Sequence, residues 1–365
     1  MGRTSVIVVA HNHRAFLADC VRALERAVGG RPDVRLIFID NASADGTAAL
    51  VRSDLLSPDG TKTRGGLPAV FIANADNRGF TGGNNQALQR AQDDGDEFAY
   101  LLNPDTEVHA GFLEAAWQAA RADTSIALVQ SLLLRLPPGD VVNTWGNVNH
   151  FLGFGYAAGD GTPLDAPATA AHLRDVHDIS HASGAGMLVR LEALRTIGLF
   201  NEELFTYCED LDLSWRARLA GFRVVVAPAS RVGHKYEFSR SSAKFYLMER
   251  NRFLVLAWCY RLRTLALIAP AMAVMEAGVW MFAWRGGWWR DKARACAYFL
   301  RPEVRRGIGE TRRRVQALRR IGDREATATF SGDVVFSAVS PWLLTRVANP
   351  LFQGYWRLVR RLMFW

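Results

Sequence analysis

The sequence predicts an α/β fold built on a mostly parallel sheet flanked by helices. Two short β-branched runs, SVIVVA (5–10) and VRLIFID (34–40), read as strands covered on both faces. Strand-like runs then alternate with helix-like ones at the spacing of βαβ units. Polar residues collect just after several of these strands, where open α/β sheets bind their ligands.

The elements follow in order. After SVIVVA comes an amphipathic stretch from Phe16 to Val28, read as a helix. VRLIFID leads into DNASADGT, whose turn and cap residues start a helix near 46–53. Residues 54–68 are rich in Pro, Gly and basic residues and read as a surface loop. AVFIAN (69–74) is a third strand, Phe80 to Asp93 a helix opened by glycines, and FAYLLN (98–103) a fourth strand. Periodicity fades from about 135 to 178, which suggests irregular hairpins or a flap. ISHASGAGMLVR (179–190) reads as a strand, LEALRTIG as a helix closed by Gly198, and FRVVVAP (222–228) as another strand.

Beyond about residue 240 the character changes. Residues 244–262 read as a helix with aromatic and cationic faces. The run 264–284 has 21 residues with one charge, Glu276, and one proline, Pro270. That length can cross a bilayer, but Glu276 near its middle makes a lipid-facing span costly. An in-plane helix, or a re-entrant pair around Pro270 and Gly278, is the alternative. The stretch 330–347 and the terminal YWRLVRRLMFW read as interfacial, with arginines placed to snorkel. A helical cap on the core or a dimer interface would use the same residues, so a homo-oligomer is compatible with them. The predicted organisation is 1–240 as the α/β domain (halves of about 1–110 and 111–240) and 241–365 as a C-terminal helical, membrane-associated region.

The formal net charge is +8, yet residues 285–324 alone hold 13 Lys/Arg against 4 Asp/Glu. A basic segment flanked by apolar runs points to an anionic membrane surface rather than to nucleic acid. Four scattered cysteines give neither a zinc motif nor a disulfide framework and fit a reducing compartment. The first residues enter a strand almost at once, so no cleaved signal peptide is expected and the α/β domain is expected in the cytosol.

Five motifs occur in order: a strand followed by His11-Asn12; Asp40-Asn41-x-Ser43-x-Asp45-Gly46-Thr47; Asn77-x-Gly79-Phe80 with Gly83-Asn84; Asn103-Pro104-Asp105; and Glu209-Asp210-x-Asp212 followed by Arg216. Together they resemble the family 2 glycosyltransferases over roughly residues 4–255. Within that family they look most like bacterial rhamnosyltransferase-type enzymes of cell-surface polysaccharide synthesis. The resemblance implies the GT-A fold, a Rossmann-like sheet between helices. It also implies inverting transfer of a sugar from a nucleotide-diphosphate donor, dTDP-rhamnose or a UDP-hexose, to a hydroxyl of a glycan or lipid-linked acceptor. The place of action it implies is the cytoplasmic face of the bacterial inner membrane.

Residue roles follow from the resemblance and agree with elementary chemistry. His11, Asn12, Asp40, Asn41, Ser43, Asn77, Gly79, Phe80, Gly83, Asn84 and Asn103 are expected around the donor. Asp40, at a strand end, can accept from a base N–H or from ribose hydroxyls. Asn41 and Ser43 also suit a simple turn and helix start. The resemblance assigns Asp105 to a divalent metal, Mg or Mn, on the diphosphate. The first acid of that motif is replaced here by Asn103, and His234 is placed to supply a further ligand. Oxygen donors suit either ion, and a histidine tilts the choice toward manganese. The resemblance makes Asp210 the base that takes the proton of the attacking hydroxyl. Ser183, Gly184, Ala185, Glu209 and Asp212 are expected on the sugar or acceptor side. Three acids in four residues should raise at least one pKa by mutual repulsion. Arg250 and Arg252 are candidates for phosphate contact.

Other classes fit less well. The chain lacks GxxxxGK[ST], and Gly184-x-Gly186 lacks a third glycine, so neither an ATPase nor a dinucleotide oxidoreductase is supported. A nucleotidyltransferase would carry a basic, glycine-rich loop near its start, unlike AHNHRAF. A processive polysaccharide synthase would carry Gln-x-x-Arg-Trp. A non-catalytic sugar-nucleotide-binding scaffold is the alternative that the missing first acid leaves open.

Overall fold

The computed structural model describes residues 2–235, 242–335 and 341–365. The chain divides into two units. One comprises residues 1–147, 157–214 and 222–237, and the other 148–156, 215–221 and 238–365.

The strands are β1 (Thr4–Ala10), β2 (Val34–Asp40), β3 (Ala69–Ala73), β4 (Phe98–Leu102), β5 (Thr106–Val108), β6 (Ile126–Arg135), β7 (Val141–Thr144), β8 (Asn147–Asn149), β9 (Gly155–Ala157), β10 (His177–Asp178), β11 (Gly186–Arg190) and β12 (Arg223–His234). The helices of the first unit are α1 (Arg14–Val28), α2 (Thr47–Leu50), α3 (Gly79–Asp93), α4 (Phe112–Ala122), α5 (Pro167–His172) and α6 (Leu191–Ile197), and α7 (Glu209–Leu219) begins there.

The large sheet runs β10-β12-β6-β11-β4-β1-β2-β3. β3, β2, β1 and β4 are mutually parallel, with Ala10 opposite Asp40 and Asp40 opposite Ala73. β1 and β2 are buried almost throughout, which is why they read as unbroken apolar runs rather than alternating ones. Parallel pairing puts the loops after β1, β2, β3 and β4 at one edge of the sheet. β11 runs antiparallel to β4, with Gly186 opposite Leu102, so its beginning lies at that same edge. β6 is antiparallel to β11 and β12 is parallel to β6, so His234, at the end of β12, arrives there too. Topology alone thus gathers residues 10–13, 40–46, 74–79, 103–105, 183–186 and 234.

The opposite edge is tied by charge. Arg35 on β2 is paired with Asp94 at 2.6 Å and Asp96 at 2.9 Å, and Ser5 donates to the same Asp96. Asp96, Ser5 and Arg35 are buried and hydrogen-bonded to one another, the condition under which buried charge is tolerated, while Asp94 closes the network at the surface. α1 and α4 close the core over β1, β4 and β6 with Leu17, Leu24, Phe112 and Trp117.

Two expectations need correction. The strand foreseen over 179–190 begins only at Gly186, because Ser183 turns the chain: its Oγ accepts from Ala185 N and its carbonyl from Gly186 N. The final strand, foreseen to end at 228, continues to His234 past an irregularity between Ala227 and Arg231. The faded segment contains only short pieces, as expected.

The second unit is helical: α8 (Ser242–Cys259), α9 (Leu262–Arg285), α10 (Trp289–Tyr298), α11 (Pro302–Ala317), α12 (Asp323–Ala326), α13 (Pro341–Leu343) and α14 (Asn349–Leu362). Residues 336–340 of the second apolar stretch lie outside the described residues. α9 is long and apolar enough to cross a membrane by length and composition, with about a fifth of its most apolar window buried. Its one internal charge is paired within the unit. Glu276 pairs with Arg252 at 2.5 Å and with Lys292 at 2.5 Å, and both cations also pair with Glu249. Several basic residues of the 285–324 segment therefore work inside the unit rather than on its surface. Lys292 is fully buried in this network. Arg312 donates to the Ala257 and Tyr260 carbonyls and Arg319 to that of Cys259, meeting the unpaired carbonyls at the end of α8.

Candidate functional site

The loops after β1 and β2 lock each other. His11 Nδ1 lies 2.9 Å from the Asn41 carbonyl, Asn12 N donates to Ser43 Oγ, and Ala44 N donates to Asn12 Oδ1. Asn12 and Ala42 both take left-handed backbone angles, a conformation more frequent at tight functional turns. Asn41 is buried and its amide is committed: Nδ2 donates to Asn77 Oδ1 and the Gly79 carbonyl, while Oδ1 accepts from Asn74 and from Arg78 N. The Asn41 side chain therefore ties three loops together, and Ser43 Oγ serves the turn in the same way. Asp40 differs. Its Oδ2 accepts only a long 3.4 Å bond from Ser43 N, and its buried Oδ1 has no partner. A buried carboxylate oxygen without a donor at a strand end is a place for an incoming N–H or O–H.

The Asn77–Asn84 segment joins this pair of loops to the next. Gly79 has φ of +69°, and a Cβ there would collide with the Phe205 carbonyl, so only glycine fits. Thr81 N donates to that carbonyl at 3.1 Å. Asn77 Oδ1 accepts from Gly79 N, and Asn84 Nδ2 donates to the Phe80 carbonyl. Gly83 packs on Val9, and Gly184 packs on the Phe80 ring. Phe80 thus bridges the turn Ser183–Ala185 and the start of α3. Asn103 N donates to the Ala185 carbonyl, holding that turn beside the end of β4.

Asp105 and His234 meet as expected, with Nε2 of the imidazole 3.5 Å from Oδ2 of the carboxylate. Asn143 Oδ1 lies 3.0 Å from His234 Nδ1. This contact occupies one ring nitrogen and leaves Nε2 facing Asp105, the arrangement found in metal-ligating histidines. Asp105 Oδ1 is buried with no partner. Burial opposes ionisation of Asp105, but hydrogen bonding and charge from His234 outweigh it and hold the carboxyl below its ordinary value. An oxygen and a nitrogen donor facing one another, with one carboxylate oxygen unspent, suit a hard divalent cation completed by phosphate oxygens and water. Among the described residues no group of three such side chains is close enough to hold an ion unaided.

The acid cluster opens α7 after a strained approach, since Phe205, Tyr207 and Cys208 all have positive φ. Three non-glycine residues in that region within four positions store strain that the surroundings must hold. Glu209 and Asp212 are buried, and Asp210 is the member that reaches solvent. Asp210 Oδ1 accepts from Leu211 N at 2.8 Å. The expected pKa displacement falls on Glu209, which burial, then the charges of Asp210 and Asp212, push up to about 8. The cluster therefore keeps a proton on its inner member at neutral pH.

A family model described as "Glycosyl transferase family 2" matches residues 5–198, more than half of the chain. The chain belongs to glycosyl transferase family 2. Among curated relatives, an N-acetylglucosaminyl-diphospho-decaprenol L-rhamnosyltransferase of Mycobacterium tuberculosis is 30% identical over 60% of this chain and 70% of its own length. A polyprenol monophosphomannose synthase of Mycolicibacterium smegmatis is 27% identical over 66% of this chain and 81% of its own. The low-salt glycan biosynthesis hexosyltransferase Agl10 of Haloferax volcanii is 23% identical over 50% of this chain, and the match spans 59% of that protein's length. Among solved structures, a mannosyltransferase from Pyrobaculum calidifontis in complex with GDP-Man and Mn2+ aligns with a TM-score of 0.50 at 15% identity, covering 87% of this chain and 86% of that one. GalNAc-T7 with UDP, GalNAc and Mn2+ aligns with a TM-score of 0.52 at 16% identity, covering 71% of this chain and 48% of that one. At these identities the structures establish the fold, which is GT-A.

Sequence reasoning about this family 2 chain missed three side chains near the site. His13 lies close enough to Asp105 to feel its charge, and burial holds its imidazole below the ordinary value against that pull. Asn143 orients His234 from the segment that read as irregular. His181 is buried and likewise held low against the charge of Asp210. Its place two residues before Ser183 was the available signal. Arg252 corrects an expectation: its guanidinium is buried between Glu249 and Glu276 and stacks on Phe253, so it has no donor to spare for phosphate. Arg250 lies over the Tyr246 and Tyr298 rings and donates to Asn251.

Proposed function

We propose that the chain moves a sugar from a nucleotide-diphosphate donor to a hydroxyl of a lipid-linked glycan, with inversion, as a step of cell-surface polysaccharide synthesis. The observation that carries this reading is that Asp40 and Asp105, after β2 and β4 at one edge of the sheet, and Glu209, the first residue of α7, each present a buried carboxylate oxygen without a hydrogen-bond partner. A donor can satisfy the first two, with its base or ribose on Asp40 and its diphosphate near Asp105.

In this reading Asp105 and His234 hold a divalent metal, and Asn143 orients the His234 ring. Bound there, the ion would offset the charge of the departing nucleoside diphosphate. Asp210 takes the proton of the acceptor hydroxyl as its oxygen bonds to the anomeric carbon. The glycosidic C–O bond breaks, and its electron pair leaves with the diphosphate. One carboxylate suffices for this step. Glu209, keeping its proton, limits the negative charge next to Asp210 and so leaves that carboxylate able to act. Phe80 and the Ser183–Ala185 turn wall the sugar side.

The names of the mycobacterial relatives carry polyprenyl groups, which supports a lipid-linked acceptor and action at a membrane, on the cytoplasmic face in this proposal. They also make dTDP-rhamnose and UDP- or GDP-hexoses the donors to try first. The test is release of nucleoside diphosphate by purified protein with dTDP-rhamnose, UDP-glucose, UDP-galactose and GDP-mannose, with and without Mn2+. One donor should be turned over in a metal-dependent way. Tight donor binding with no release from any, even with acceptor-bearing membranes added, would overturn the catalytic reading.

A further inference from the structure

Among the described residues, the second unit carries a long, exposed apolar face. On α9 the buried positions are Thr264, Ile268, Ala271, Met275, Val279 and Ala283, a single stripe turned into the unit. The opposite stripe, Ala266, Pro270, Val274, Ala277, Met281 and Trp284, is exposed and wholly apolar. It runs about 27 Å along the axis at 1.5 Å per residue. Val274, Met281 and Trp284 are each at least 60% exposed. α14, bound to α9 by the Tyr355 hydroxyl on the Leu267 carbonyl at 2.6 Å, exposes Leu351, Leu358 and Leu362.

Charge selects the occupant. Arg263 and Arg285 bracket the α9 stripe, and Arg357 and Arg361 are exposed on α14. After Asp333 the sequence contains no Asp or Glu, and between Arg263 and Arg285 the only one is Glu276. Apolar residues with tryptophans, bordered by arginines and free of exposed acids, match the headgroup and upper acyl region of an anionic bilayer. The paired Glu276 decides the geometry. A helix that crosses the bilayer alone meets lipid on every side, and α9 is the one candidate span among the described residues. Crossing would strip α9 from its buried stripe and part Glu276 from Arg252 and Lys292.

We propose that α9 and α14 seat this unit in the plane of an anionic membrane, with the Ala266–Trp284 stripe embedded and Arg263 and Arg285 on the same side. The proposal rests on the reading that the acceptor is membrane-borne. Its test uses the full chain. Flotation with phosphatidylcholine/phosphatidylglycerol vesicles should be strong, should weaken but persist in high salt, and should fall at least tenfold in Val274→Glu/Met281→Glu, two charges placed in the embedded stripe. Donor turnover with a water-soluble acceptor analogue should be unchanged in that variant, which separates this claim from the catalytic one. In a Cys296→Ala background, Arg263→Cys and Arg285→Cys should both react with an impermeant maleimide added outside the vesicles. Protection of either site would mean that α9 crosses. Wild type that fails to float, or that forms a dimer which the double variant dissolves, would show that a second copy covers the face instead.

Discussion

Glu209→Gln isolates the electrostatics of the acid cluster. In the folded chain the Glu209 carboxyl is pushed from 4.5 up to about 8, by burial first and then by Asp210 and Asp212. The folded state therefore binds more protons than the unfolded state between those two values. Stability from this group is fully present below pH 4.5 and is lost as pH rises through about 8. At about 1.4 kcal/mol per unit, the whole displacement corresponds to several kcal/mol. Glutamine keeps the shape of the protonated acid and cannot ionise, so the variant escapes the loss. Urea unfolding of both proteins at pH 5, 6, 7 and 8, at constant ionic strength, measures it. The stability of wild type relative to the variant should fall by about 1 kcal/mol for each pH unit in this window. Parallel stability curves would refute the claim that the proton sits on Glu209.

Two more predictions come from the charge clusters. Asp105→Asn should weaken metal-dependent donor binding by at least tenfold in titration calorimetry with Mn2+ while the fold survives, and His234→Ala should weaken it less; full activity of wild type in excess chelator would contradict both. Lys292→Met should destabilise the helical unit by about 3–5 kcal/mol, because it leaves Glu249 and Glu276 sharing one cation, and adding Glu276→Gln should recover much of the loss in urea unfolding; an unchanged midpoint in the single variant would show that the network contributes nothing.

The parallel half of the fold was legible because its strands are buried on both faces, and β-branched runs such as Val6–Val9 have no other comfortable conformation. The loops after them were legible for a related reason: a polar residue at or just past the end of such a run, like Asp40 or Asp105, has few structural duties. β6 (Ile126–Arg135) and α4 were not foreseen, although IALVQSLLLR is a buried run of the same kind; it lacked the polar loop that drew attention to the others. What sequence could not supply was pairing across distance. That the Asn41 amide has four partners, from Asn74 to Gly79, could not be read from its position in the sequence. Arg252 looked like a phosphate contact and Lys292 like part of a basic membrane-facing segment, and only the packing of α8, α9 and α10 around Glu276 shows them to be internal. The pKa displacement in Glu209-Asp210-x-Asp212 could be foreseen from spacing, but its location depends on which carboxyl the start of α7 buries.

The central claim is that Asp210, the acid of the cluster that reaches solvent, takes the acceptor's proton. The direct measurement is single-turnover sugar transfer by wild type and Asp210→Asn, with the donor identified by the diphosphate-release screen and donor affinity measured in parallel. Transfer should fall by 10²–10⁴-fold, the usual worth of a general base, with donor affinity nearly unchanged. A variant that keeps more than about a tenth of the wild-type rate would place the base elsewhere.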